Sequence, residues 1–179
     1  MTCAILATGP SMSQAMADAV RGRCRVIAVS DNYKLAPWAD ALVSSDRGWW
    51  TIHNPEFDGR KFSGVPVSGI DRIERFNGPV NGSNSGLIAI KVAVEVYKEH
   101  EIVLLGFDMH GSHWFGEHPK PLRNTKPHRF EVFKKQFADY RPKGVRIINC
   151  TTNSALTCYP MARLEDVLEG LVESALHAA

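Results

Sequence analysis

No window of this sequence holds the roughly 18 apolar residues that a membrane-spanning helix needs, and no basic stretch followed by a long apolar segment stands at its N-terminus. Both absences predict a soluble, cytoplasmic protein without a membrane span. Charge of one sign is missing too. The 21 Lys and Arg against 19 Asp and Glu leave a formal charge of +2, and no block of like charge dominates, which disfavours nonspecific duplex binding as the main activity. The cysteines Cys3, Cys24, Cys150 and Cys158 form no C-x-x-C pair and mostly sit in strand-like runs, so buried free thiols are expected rather than disulfides or zinc ligands. Internal repeats, low-complexity tracts and interdomain linkers are also lacking. At 179 residues the chain fits one domain, 1–179, able to remove roughly 70% of its unfolded surface from water.

What is present is alternation. Short apolar runs at Cys3–Thr8, Val26–Val29, Ala41–Val43, Ile102–Leu105 and Val145–Ile148 read as buried strands. Between and after them lie helical patterns at Met12–Val20, Arg47–Ile52, Leu87–Lys98, Phe130–Tyr140 and Leu164–Ala175. The expected architecture is α/β and Rossmann-like: a mostly parallel sheet with helices on both faces. The stretch 54–81 is the least regular, with a short strand suggested near Val65–Val67. The segment 108–128 has no period and is rich in His, Pro, Gly and Lys, as a lid or binding loop would be.

In a parallel sheet, ligands sit outside the carboxyl ends of the strands, near the point where strand order reverses. The polar clusters fall there. Gly9-Pro10-Ser11 ends the first strand ahead of a helix, an arrangement that presents free backbone N–H groups to an anion; it is also an ordinary turn sequence. Asn84-Ser85-Gly86 repeats the pattern, as a phosphate contact or as a simple helix cap. Asp31 and Asn32 end the second strand, suited to ribose hydroxyls or to an Asx turn. Asp46 suits either an acceptor contact or a helix N-cap, and Asp108 either a substrate contact or a turn.

Four of the seven histidines, His110, His113, His118 and His128, fall in one segment. Imidazole changes charge near neutral pH, so each is a candidate general base as well as an ordinary surface residue. The spacing of Asp108, His110, His113 and His118 matches no helical zinc signature, so no metal site is expected there. Trp114 and Phe115 suit covering a bound base or anchoring the segment, and Trp49 and Trp50 suit packing a helix on the sheet.

Together, Ala7-Thr8-Gly9-Pro10-Ser11, Asp31-Asn32, Asn84-Ser85-Gly86, Leu105-Gly106-Phe107-Asp108 and Cys150-Thr151-Thr152-Asn153-Ser154 resemble, in motif order, the bacterial sialyltransferases that use a CMP-activated sugar. The wider group they resemble includes short phage and prophage proteins and archaeal-type pterin diphosphokinase-like domains. The resemblance implies that Gly9, Pro10, Ser11, Ser85 and Gly86 meet the nucleotide phosphate, Asn32 the nucleoside, and Asn153 and Ser154 the cytidine side. It also implies a general-base histidine from the lid, for which His128 is the nearest positional match.

Two reactions and one non-catalytic role follow as expectations. In the first, His128 or His118 deprotonates an acceptor hydroxyl during inverting transfer from a nucleotide sugar. The sequence holds no D-x-D pair, so this transfer is expected to proceed without a metal or other cofactor. In the second, Asp31, Asp46 and Asp108 gather Mg²⁺ for pyrophosphoryl transfer from ATP. In the third, a phage-associated module binds nucleotide without turnover. The acceptor and any homo-oligomeric state stay open.

Overall fold

A computed structural model of the chain describes residues 1–70, 72–76 and 84–177, with 172–177 as backbone only. Among the described residues, seven strands run in parallel: β1 (Thr2–Leu6), β2 (Arg25–Val29), β3 (Ala41–Ser44), β4 (Arg60–Ser63), β5 (Ile73–Arg75), β6 (Glu101–Leu105) and β7 (Arg146–Asn149). Their order is β5-β4-β3-β2-β1-β6-β7. From β1 the chain first builds outward through β2 to β5, then returns to place β6 on β1's other side, so strand order reverses between β1 and β6. The Rossmann-like expectation holds, and the sheet is parallel throughout.

Parallel pairing forces long crossovers, and their helices cover both faces. The helices are α1 (Gln14–Val20), α2 (Arg47–His53), α3 (Ser85–Lys91), α4 (Pro127–Asp139) and α5 (Leu164–His177). Alternation along β1 separates two cores. Cys3 and Ile5 point to the side of α3 and α4, with Ile88, Ile90 and Phe137. Ala4 and Leu6 point to the side of α1, α2 and α5, with Val20, Trp49, Trp50 and Leu168. Burying each large aliphatic side chain contributes about 1.5–3 kcal/mol, so this two-sided burial dominates the stabilisation of the central strands. Trp49 and Trp50 are 2% and 0% exposed, their rings edge to face at 5.1 Å.

Local chemistry sets the helix starts. Ser13 caps α1 by accepting from Met16 N at 3.4 Å. Asp46 caps α2 by accepting from Gly48 N at 2.7 Å and Trp49 N at 3.2 Å. Asn84 caps α3 by accepting from Leu87 N at 2.9 Å. The pattern at Leu87–Lys98 divides into α3 and a π-helical turn, Val92–Val96, in which Tyr97 N reaches back to Val92 O at 3.1 Å.

The outer strands differ from expectation. Val65–Val67 forms no strand; β4 and β5 lie on either side of it, while residues 71 and 77–81 of the irregular stretch lie outside the described residues. The physical reason is position. Arg60 of β4 and Glu74 and Arg75 of β5 are exposed toward one edge of the sheet, so these strands are not apolar runs. Arg60 and Glu74 form a two-pronged ion pair across the two strands, at 2.7 and 2.6 Å. No helix among the described residues is long and apolar enough to cross a membrane.

Candidate functional site

The carboxyl ends of β1, β2, β3 and β6 open on a cavity of about 830 Å³ that spans the reversal of strand order. Its floor is Thr8, Gly9, Ser30, Gly106 and Asp108; one wall is Ser45, Asp46, Asn84 and Ser85. The opposite wall comes from the connection between β6 and α4, through His110, His113, His118 and Arg123, and from Arg129 and Phe130 of α4. That volume fits a drug-sized or nucleotide-sized ligand.

Gly9-Pro10-Ser11 is already occupied by an internal anion. Ser11 N and Ser11 Oγ donate to the two carboxylate oxygens of Asp108, at 3.2 and 2.9 Å. Burial pushes the Asp108 carboxyl above its ordinary pKa, and the Ser11 hydroxyl and amide offset part of that rise. Asp108 thus ties the end of β6 to the β1–α1 loop. Of the three loop residues, only Gly9 reaches the cavity.

The second loop is open. Asn84, Ser85 and Gly86 all line the cavity. Ser85 Oγ accepts from Ser45 N at 2.9 Å and lies 3.0 Å from Ser45 Oγ, joining α3 to the end of β3. Asn84 spends its carbonyl oxygen on the helix cap, while its Nδ2 is buried with no hydrogen-bond partner among the described residues. A buried amide left unpaired costs about 1–3 kcal/mol.

Asp31 and Asn32 are buried beneath the cavity rather than lining it. Asn32 donates to Leu6 O at 2.6 Å and accepts from Trp114 Nε1 at 2.8 Å, pinning the β6–α4 connection to β1. Asp31 accepts from Lys34 Nζ at 2.6 Å on one oxygen and from Trp49 Nε1 at 2.8 Å on the other. Burial pushes its pKa up, but those two hydrogen bonds and the Lys34 charge outweigh it and hold the carboxyl below its ordinary value. His118 Nδ1 and His53 Nε2 each lie 3.9 Å from an Asp31 oxygen.

The histidines separate by position. His118 lines the cavity, its ring 4.7 Å from that of His113 and 5.0 Å from Phe115. His113 pairs with Thr8 Oγ1 at 2.9 Å; burial first, and the charge of His118 second, hold its pKa below the ordinary value. His128 is exposed on α4 and is not among the cavity-lining residues. Asn153 and Ser154 do not line this cavity either. Ser154 Oγ donates to Phe107 O at 2.5 Å and accepts from Asn149 Nδ2 at 3.0 Å, and Asn153 O meets His110 Nε2 at 3.1 Å.

Asp31, Asp46 and Asp108 do not converge: each is committed to separate protein donors. Among the described residues the potential ligand groups that do cluster are Asp31, His53 and His118. His53, Lys34, Arg123 and Arg129 carry no motif in the sequence; Lys34 follows β2 directly, while His53 at the end of α2, Arg123 in the β6–α4 connection and Arg129 on α4 are brought near the site by the fold. Fold and cavity define a parallel α/β protein with a candidate ligand site at the reversal of its sheet. Comparisons with protein-family models, curated proteins and solved structures give no match to this chain.

Proposed function

We propose that this cavity binds a nucleotide-activated sugar, of CMP type by the motif resemblance, and that the protein transfers the sugar to an acceptor hydroxyl without needing a metal ion. The observation that carries this reading is the cavity's combination of groups: an unmet amide donor at Asn84, the cations Arg123 and Arg129, and an imidazole backed by a buried carboxylate. The first two suit a phosphate, and the third suits a general base.

His118 takes the base role in preference to His128, because it lines the cavity and His128 does not. His118 Nδ1 lies 3.9 Å from Asp31 Oδ2, so the buried carboxylate sits where it would favour the imidazolium formed when Nε2 takes a proton. The acceptor oxygen forms its bond to the anomeric carbon as the bond from that carbon to the phosphate oxygen breaks. The acceptor proton passes to Nε2, and the nucleotide leaves as its phosphate gains charge beside Asn84 and the arginines. The segment 108–128 acts as a lid over this site.

The test is a thermal-shift panel of CMP, CDP, UDP, ADP and ATP, each with Mg²⁺ or with chelator. A cytidine nucleotide in chelator should raise the melting temperature, since a ligand at a hundred times its Kd contributes about 2.7 kcal/mol. With a CMP-sugar donor, His118→Ala should lower turnover by about 10²–10⁴-fold and spare nucleotide binding. Stabilisation only by ATP with Mg²⁺ would favour pyrophosphoryl transfer instead. Stabilisation without any transferred product would leave a non-catalytic nucleotide-binding module.

A further inference from the structure

Beneath the cavity, three side chains from distant parts of the chain meet: Asp31 at the end of β2, His53 at the last position of α2, and His118 in the β6–α4 connection. One ligand atom from each lies within 4.8 Å of the others. His53 Nε2 is buried and has no hydrogen-bond partner among the described residues, although it lies 3.9 Å from Asp31 Oδ1. The surroundings hold all three in place. The His53 ring stacks on Trp49 at 4.9 Å, and Trp49 Nε1 holds Asp31 Oδ2 at 2.8 Å, leaving Oδ1 on the His53 side. The His118 backbone is held by Asn124, whose Oδ1 accepts from His118 N at 2.7 Å.

We propose that Asp31, His53 and His118 form a binding site for a divalent transition-metal ion of the zinc class. Two imidazoles and one carboxylate are a borderline donor set; Mg²⁺ and Ca²⁺ select oxygen ligands instead. A tetrahedral ion about 2.1 Å from each donor sets them about 3.4 Å apart, so donor atoms that now lie within 4.8 Å of one another need to close by up to about 1.4 Å. Three protein ligands leave a fourth position for water or another ligand. Lys34 now supplies the positive charge at Asp31 Oδ1, and its side chain is 46% exposed, so the ion replaces an ammonium that has solvent to move into. The site shares Asp31 and His118 with the proposed transfer reaction, so an ion held on His118 Nδ1 takes the place of the proton between that nitrogen and Asp31, and it joins the β6–α4 connection to the body.

The experiment titrates Co²⁺ into tag-free protein without nucleotide, reads the visible absorption of the tetrahedral ion, and then displaces it with Zn²⁺. One equivalent should bind. His53→Gln should weaken binding by more than about a hundredfold, beyond the 10–100-fold typical of an outer-shell partner. Lys34→Met, which removes the competing cation at an exposed position, should tighten it. Absence of a one-to-one complex, equal affinity in folded His53→Gln, or weaker binding in Lys34→Met would overturn the site. Should His53→Gln fail to fold, the Lys34→Met result decides. No step uses nucleotide or turnover, and His53 and Lys34 take no part in the proposed transfer, so failure of the metal site and failure of the transfer reaction are read separately.

Discussion

A methyl group at Gly9 would overlap the Asp108 carboxylate and the Gly106 carbonyl, both backed by the ends of β1 and β6. Gly9→Ala should therefore destabilise the protein by about 1–3 kcal/mol, the usual cost of overpacking, read as a lower denaturant midpoint. A stability equal to the parent would mean that the loop does not pack against Asp108. Asp31 gives a prediction of different kind. Its folded pKa is held down although burial opposes this, so the unfolded state binds the proton more readily. The stability this contributes is present above the unfolded value of about 3.9 and is lost as pH falls through the lower folded value. Asp31→Asn should be less stable than the parent at pH 7 and should lose less stability on acidification below pH 4. Parallel stability curves for the two proteins would remove Asp31 from the acid limb. The sequence marked Asp31 as a polar residue at a strand end, yet of its partners only Lys34, three residues on, is local; Trp49 and His53 come from α2 and His118 from the β6–α4 connection, and no local pattern announces those three.

At the scale of elements, legibility follows coverage by helices. β1, β2, β3, β6 and β7, the last at the far edge, bury residues in both cores and read as apolar runs; β4 and β5 keep exposed charged residues and do not. The connection from β6 to α4 was visible as an aperiodic stretch, but its attachment was not. It rests on Thr8 through Trp114 N at 3.1 Å and His113 at 2.9 Å, and on Asn32 through Trp114 Nε1 at 2.8 Å. Trp114→Phe leaves the buried Asn32 Oδ1 without its donor, at a cost of about 1–3 kcal/mol, and should speed proteolysis within 108–126 before the rest of the chain is cut. Unchanged cleavage would show that the attachment lies elsewhere. The His113 contact also carries a pH dependence. Its folded pKa lies below the unfolded value of about 6.5, so the unfolded state takes up the proton first and stability declines as pH falls through that value. Between pH 7 and 5 the parent should lose stability that His113→Asn does not lose; the same slope in both would contradict this.

Across the whole molecule, the reversal between β1 and β6 places the cavity on both arms of the sheet, so a bound ligand touches elements that are far apart in sequence. The β1–α1 loop provides part of the floor, and the start of α3 and the β6–α4 connection stand on opposite walls. The second cavity, about 650 Å³ between Met16, the turn after β7 and the start of α5, lies among a different set of residues and lacks the first cavity's histidines. A nucleotide seated at the reversal therefore links both arms, while one seated in the second cavity links only β7, α1 and α5. Amide hydrogen exchange separates these cases, because a ligand slows exchange in the segments whose opening would release it. CMP should slow exchange together at residues 8–11, 84–88 and 108–126, and leave the margin strands β4 and β5 and the helix α5 at their free rates. Protection confined to 150–165 would move the ligand to the second cavity and remove His118 from the reaction. Protection at 84–88 alone would leave the nucleotide on α3 with the β6–α4 connection open above it, so the connection would not act as a lid.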